Sequence, residues 1–208
     1  MKEVNFIICG VGGQGNLLVE KILGVSAIKE GYSVRAADTF GAAQRGGSVL
    51  SHLRFGSEIS SSLVPQGKCH VLIGMEPGEA LNSTPKFLCK NGLVIVNTHP
   101  FLPAKVKMGE RSYPSIKAIL DLLQKVTENV IDVDATALAK ETAGTDRSMN
   151  VVLTGVLMGA DVVPLKSNTV REVIEQLTGK FAQANVRAFE AGYEVGKKRR
   201  GIHLADCQ

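Results

Sequence analysis

Apolar residues run almost unbroken from Val4 to Gly10 ("VNFIICG"). Such a run suits a strand covered on both faces in a parallel sheet. From Gln14 to Glu30 the period lengthens: Leu18, Ile22, Val25 and Ile28 fall on one helical face, and Gly31 stops the helix. Gly24 inside it costs about 1 kcal/mol against alanine, which points to close packing at that position. "YSVRAAD" (32–38) reads as a second strand. In Ser48–Gly56, Val49, Leu53 and Phe55 alternate with polar residues, the mark of a half-exposed strand, and "EISSSLV" (58–64) is expected to pair with it antiparallel. "CHVLIGM" (69–75) is a further buried strand, followed by a short helix around "EPGEALN" (76–82).

After the turn signal Asn91-Gly92, "NGLVIVNT" (91–98) gives another strand. "YPSIKAILDLLQKV" (113–126) is a helix with Ile116, Ile119, Leu120 and Leu123 on one side. "NVIDVDA" (129–135) is a strand leading into the helix "ATALAKETAG" (135–144). Asn150–Gly159 is an apolar helix in which Gly155 and Gly159 lie one turn apart, a spacing that admits another backbone. Helices over 168–178 and 181–198 complete the chain. Strands alternating with helices define an α/β class, Rossmann-like, with a mostly parallel sheet flanked by helices and a helical C-terminal third. With no repeat and no linker, 1–208 reads as a single domain, ending in a flexible basic tail over 197–208.

Composition changes this picture little. At 44% apolar and 21% charged, the chain is an ordinary soluble globular protein. It lacks the long apolar run of a membrane span, and its N-terminus is unlike a signal peptide, so a cytoplasmic location is expected. The net charge of +4 equals the four charges of Lys197, Lys198, Arg199 and Arg200, so the rest sums to zero. That argues against a nucleic-acid-binding body, which needs a broad basic face. Cys9, Cys69, Cys89 and Cys207 show neither C-x-x-C pairing nor zinc spacing and are expected to be reduced. No metal site and no iron–sulfur cluster is expected in this chain.

Candidate chemistry concentrates in two glycine clusters. Gly10, Gly12, Gly13, Gln14 and Gly15 lie between a strand and a helix, the setting of a phosphate-binding loop. Glycines let a phosphate approach the backbone, and the helix N-terminus offers free N–H groups; a tight turn without a ligand is the alternative. A dinucleotide site also needs an acid at the end of the second strand to hold the ribose. Arg35 stands in that neighbourhood and Asp38 comes late, which weakens a nicotinamide cofactor. The second cluster is Gln44, Arg45, Gly46, Gly47 and Ser48, directly before a strand. Its arginine fork suits phosphate or carboxylate, and Gln14 and Arg45 are expected to converge at the carboxyl end of the sheet. The alternative is a turn whose arginine makes a surface or subunit contact.

Glu76 and Glu79 flank Pro77-Gly78 where a loop residue faces a site, although helix N-terminal acids read the same way. Asp134 reads as a helix N-cap rather than a metal ligand beside Asp132. His52, His70 and His99 receive no functional role. The chain shows no catalytic constellation of its own.

Taken together, "GVGGQG", "AAQRGGSVLSHLRFG" and "LIGMEPGEAL" resemble the gamma-type subunit of the 2-oxoacid:ferredoxin oxidoreductases. The resemblance covers about the first hundred residues and extends more loosely through "NVVLTGVLMGA". It implies a cytoplasmic hetero-oligomer of anaerobic metabolism whose large partner subunit carries thiamine diphosphate, magnesium and [4Fe-4S] clusters. The implied reaction decarboxylates a 2-oxoacid, indolepyruvate or another aryl pyruvate, passes electrons to ferredoxin and yields an acyl-CoA. This chain is then inactive alone. Its two glycine motifs and Glu76 are expected to bind a ligand, with coenzyme A as candidate, or to shape the subunit contact. A stand-alone NAD(P)-binding oxidoreductase and a non-catalytic nucleotide-binding regulator are the alternatives.

Overall fold

A computed structural model describes residues 3–40, 47–102, 112–202 and 204. Strand β1 (Glu3–Val11) leads through the glycine loop into α1 (Asn16–Lys29) and then β2 (Ser33–Phe40) and β3 (Ser48–Gly56). Next come β4 (Cys69–Gly74), α2 (Pro77–Phe87), β5 (Leu88–Asn97), α3 (Ile116–Val126) and β6 (Val130–Val133). The remaining helices are α4 (Ala135–Ala143), α5 (Met149–Ala160), α6 (Ser167–Thr178) and α7 (Ala182–Lys197). The six strands form one sheet in the order β2-β3-β1-β4-β5-β6. β3 runs antiparallel between β1 and β2, and β1, β4, β5 and β6 are parallel.

The position of β3 corrects two sequence expectations. It is not half-exposed: from Ser51 to Gly56 every residue is buried. Its polar side chains are satisfied inside the protein instead of by water. Ser51 Oγ donates to Asp38, and the His52 ring nitrogen Nδ1 accepts from Val64 N at 3.1 Å. Arg54 donates to Asn5 Oδ1 at 2.9 Å, Glu3 Oε2 at 2.9 Å and the Ser61 carbonyl at 3.0 Å. Residues 58–64, expected as a pairing strand, form an irregular segment that supplies such partners and buries Ile59 and Val64 against the sheet. The Asn91-Gly92 signal marks an interruption inside β5 rather than a preceding turn. Asn91 takes φ 62, and pairing slips between Cys69↔Leu88 and Val71↔Leu93.

Helices cover both faces of the sheet. One core gathers Phe6, Ile8, Phe55 and Ile73 under α1 and the C-terminal helices. The other gathers Ile7, Leu72, Val94 and Val96 under α2 and α3. α5 is buried on every side, as a helix apolar all round must be. Gly155 and Gly159 meet Gly192 and Gly196 of α7: a Cβ on Gly155 would lie 2.1 Å from the Phe189 carbonyl oxygen, and one on Gly192 would lie 2.0 Å from that of Val152. Beyond α7, Arg200 donates to the Gly159 carbonyl at 3.4 Å, and Ile202 and Leu204 pack on the core; residues 203 and 205–208 lie outside the described residues. Cys9 and Cys69 are free and buried, but Cys89 is in a disulfide, which the expectation of reduced thiols did not foresee. No helix among the described residues is long and apolar enough to cross a membrane.

Candidate functional site

The glycine loop stands at the carboxyl end of the parallel strands, where open α/β sheets hold their ligands. It is held from inside. Gln14 N donates to the Val11 carbonyl at 3.1 Å, and Gln14 Oε1 accepts from Val11 N at 2.7 Å. The acceptor of Gln14 therefore closes the loop instead of facing a ligand. Gly10 makes room for this, because a Cβ there would lie 2.8 Å from both Gln14 Oε1 and Met75 Cβ. Asn16 adds a brace, donating to the carbonyls of Ile8 at 3.2 Å and Val49 at 3.3 Å.

Two glycines take left-handed backbone. Gly15, at the cap of α1, has φ +88, and Asn150 of α5 donates to its carbonyl at 3.3 Å. Gly13 has φ +101 and no atom within 4 Å of where a Cβ would stand. It is exposed, where the rest of Gly10–Gly15 is buried or half-buried, and it lines two clefts. Gly15 carries no capping side chain, and the first turn of α1 has no acidic residue. Among the described residues none accepts from the backbone N–H of Gly13, Gly15, Asn16 or Leu17. An unsatisfied helix start of this kind carries a partial positive charge and donors aimed outward, which suits an anion.

The cleft of about 290 Å³ runs over Gly12, Gly13, Leu17 and Val49. The other, of about 250 Å³, lies between Gly13 and Gln14 on one side and Asn97, His99, Phe101 and Arg147 on the other. Asn97 is buried and builds its floor, donating to the Met75 carbonyl at 3.1 Å and to Thr136 Oγ1 at 3.0 Å while accepting from Ala135 N at 3.1 Å. Arg147 is exposed, with no partner for its guanidinium among the described residues, and it also lines a groove of about 580 Å³ beside Leu177 and Phe181. Sequence reasoning missed Asn97, His99, Arg147 and Asn150. Asn97 at the exit of an apolar run was the one local signal; the others reach the site from segments remote in sequence.

Of the second cluster, Gln44, Arg45 and Gly46 lie outside the described residues. Gly47 and Ser48 do meet the first cluster: Gly12 N donates to the Gly47 carbonyl at 2.9 Å. Ser48 Oγ donates to Glu79 Oε2 at 2.6 Å. Glu76 is turned inward, as the N-cap of α2, accepting from Glu79 N at 2.9 Å and from the Tyr113 hydroxyl at 2.5 Å. Burial pushes the Glu79 carboxyl up, the neighbouring Glu76 adds to this, and the Ser48 hydroxyl opposes it. Burial, then the bond to Glu76, pushes the Tyr113 phenol up. Cys9, beneath this turn, is raised to about 12 by burial and is no nucleophile at neutral pH.

Other polar residues have structural places. Asp134 caps α4, accepting from Ala137 N at 2.8 Å. His70 Nδ1 accepts from Asn5 N at 3.0 Å, and burial lowers the His52 pKa. Among the described residues no group of three or more His, Cys, Asp or Glu side chains could hold a metal ion.

Comparison with known proteins adds what geometry alone does not. A family model described as pyruvate ferredoxin/flavodoxin oxidoreductase matches residues 5–195. Indolepyruvate oxidoreductase subunit IorB of Thermococcus kodakarensis is 39% identical, over 97% of this chain and 100% of its own length. Among solved structures, pyruvate oxidoreductase subunit PORC of Thermotoga maritima superposes with a TM-score of 0.69 at 21% identity, over 93% of this chain and 97% of that one. A 2-oxoglutarate:ferredoxin oxidoreductase chain of Magnetococcus marinus gives 0.71 at 22% identity, covering 100% of this chain but 34% of the larger one.

Proposed function

The chain belongs to the pyruvate ferredoxin/flavodoxin oxidoreductase family, and from that premise we propose that it is the small, cluster-free subunit of a 2-oxoacid:ferredoxin oxidoreductase acting on indolepyruvate or a related aryl pyruvate. The observation that carries this reading is identity of 39% along the full length of an indolepyruvate oxidoreductase subunit. In this reading a large subunit brings thiamine diphosphate, magnesium and [4Fe-4S] clusters, which together supply decarboxylation and electron transfer to ferredoxin. The small subunit contributes a surface for coenzyme A, the acyl acceptor.

The residues present fit that task. Backbone N–H groups of Gly13, Gly15, Asn16 and Leu17 offer donors to a phosphate, and Arg147, whose guanidinium has no partner among the described residues, lies across the adjoining cleft. Gly13 leaves no side chain in the way. Hydrogen bonds to a charged group contribute about 1.5–3 kcal/mol each. The chain's part is to bind and orient: it holds the anionic end of the acceptor while the reaction proceeds on the partner.

A stand-alone dinucleotide enzyme fits less well. β3 separates β2 from β1, so an acid at the end of β2 lies one strand farther from the glycine loop than a ribose contact requires. Asp38 is moreover engaged by Ser51.

The test is reconstitution. Aryl-pyruvate-dependent dye reduction is measured with this chain alone, with the large subunit alone and with both. Activity is expected only from the pair and only with coenzyme A; turnover by this chain alone would return the reading to a self-contained oxidoreductase. Arg147→Ala is expected to raise the KM for coenzyme A by roughly tenfold or more, the loss of one charged hydrogen bond. An unchanged KM would remove Arg147 from the site.

A further inference from the structure

The turn Glu76-Pro77-Gly78-Glu79 gathers more of the site than its role as a helix start explains. α2 returns tightly on β4, since a Cβ on Gly74 would lie 2.5 Å from that of Ala80, and this fixes the turn against the sheet. Two segments remote in sequence then tie onto it. From one side Tyr113 donates its hydroxyl to Glu76 Oε1 at 2.5 Å and accepts from Gly78 N at 3.0 Å. From the other, Ser48 donates to Glu79 Oε2 at 2.6 Å. Ser48 directly follows Gly47, whose carbonyl takes the Gly12 N–H at 2.9 Å. A continuous path therefore runs from Glu79 through Ser48 and Gly47 to the glycine loop.

Capping does not account for Glu79. The cap of α2 is made by the Glu76 side chain, and Glu79 contributes to it only its backbone N–H. Its carboxyl is instead partly withdrawn from water beside a second carboxyl, an arrangement that disfavours its charge. Among the described residues, the one hydrogen bond its side chain receives comes from Ser48.

We propose that Glu79 is a positioning residue which, through Ser48, holds the Gly47 carbonyl on Gly12 N–H and so sets the glycine loop to receive the phosphates of the acyl acceptor. This rests on the reading of the loop as the coenzyme A surface. Glu79 touches neither substrate nor cofactor; it acts through Ser48 alone. Loss of the Ser48–Glu79 bond leaves the loop in place but lets its Gly12–Gly47 tie relax, so affinity falls before turnover does.

The experiment uses the reconstituted two-subunit enzyme with Ser48→Ala, Ser48→Thr, Glu79→Gln and the double variant Ser48→Ala/Glu79→Gln. The readouts are KM for coenzyme A, kcat, coenzyme A binding by calorimetry, and affinity for the large subunit. Ser48→Ala and Glu79→Gln are expected to raise KM and the calorimetric Kd about 3- to 10-fold, as loss of one modest hydrogen bond would. Ser48→Thr keeps the hydroxyl and restores the wild-type value, and the double variant is no worse than either single one. Unchanged coenzyme A affinity in both single variants overturns the proposal, as does a loss confined to kcat or to subunit affinity. A wild-type pair that turns over without coenzyme A would overturn the functional reading itself, a result distinct from any of these.

Discussion

Gly13 and Gly15 share a left-handed backbone but differ in surroundings, and this separates binding from folding. At Gly13, φ +101 with open space around it means that alanine brings backbone strain and no collision. That strain is about 1–2 kcal/mol. At Gly15 the same strain is joined by a Cβ 2.0 Å from Asn150 Nδ2. Gly13→Ala is therefore expected to fold with a modest loss in urea denaturation, and Gly15→Ala to lose clearly more. Adding Asn150→Ala to Gly15→Ala should recover part of the difference. Equal losses from the two single variants would mean that Asn150 yields freely. The sequence made the loop visible because glycines between a strand and a helix have few other uses. It did not show that Gln14 and Glu76 turn inward: a polar side chain at a turn satisfies nearby backbone donors first, and residue spacing carries no record of that competition. Arg147 and Asn150 were invisible for another reason, since they meet the loop only once the chain has folded back.

At the scale of elements, period recovered strands and helices wherever burial followed polarity. β1, α5 and α7 are where apolar runs and helical spacing put them. β3 broke the rule because its polar residues bond to Asp38, Asn5 and Glu3 inside the fold, so alternation no longer meant a solvent face. The helical glycines divide in the same way. Gly24 of α1 would place a Cβ 3.5 Å from Leu53 and 3.6 Å from Val34, ordinary contacts, so the close packing expected there is not needed. Gly24→Ala is expected to stabilise the protein by about 0.4–1 kcal/mol, because alanine lowers the entropy of the unfolded chain. Gly155→Ala forces a Cβ to 2.1 Å from the Phe189 carbonyl oxygen and must push α5 and α7 apart. Overpacking of this kind costs about 1–3 kcal/mol or more. Denaturation midpoints should move in opposite directions; a destabilising Gly24→Ala would show that α1 needs its glycine for a reason outside these contacts.

Across the whole molecule, stability at the sheet edge should depend on pH through one carboxyl pair. Glu20 of α1 lies against Asp38 of β2, which Ser51 of β3 engages, and Glu20 Oε2 is buried without a hydrogen-bond partner among the described residues. Burial, then the charge of Asp38, raises the Glu20 carboxyl from an ordinary 4.5 to about 7, with Lys21 opposing weakly. The folded protein then keeps a proton that the unfolded chain has released over the interval between those two values. When the native state binds more protons than the unfolded one, stability falls as pH rises. The loss from this group should thus begin near the ordinary carboxyl value and be complete once the pH passes the folded value. Glu20→Gln keeps the shape and a donor without the charge, so it should remove this part of the slope and leave the variant more stable than wild type in mild alkali. The half-exposed position of Glu20 lets water screen the effect, which keeps it well below that of a fully buried carboxylate. Thermal midpoints of wild type and Glu20→Gln at about pH 5 and about pH 8 decide the matter. The drop between the two should be larger for wild type, and equal drops would place the Glu20 proton on water rather than against Asp38.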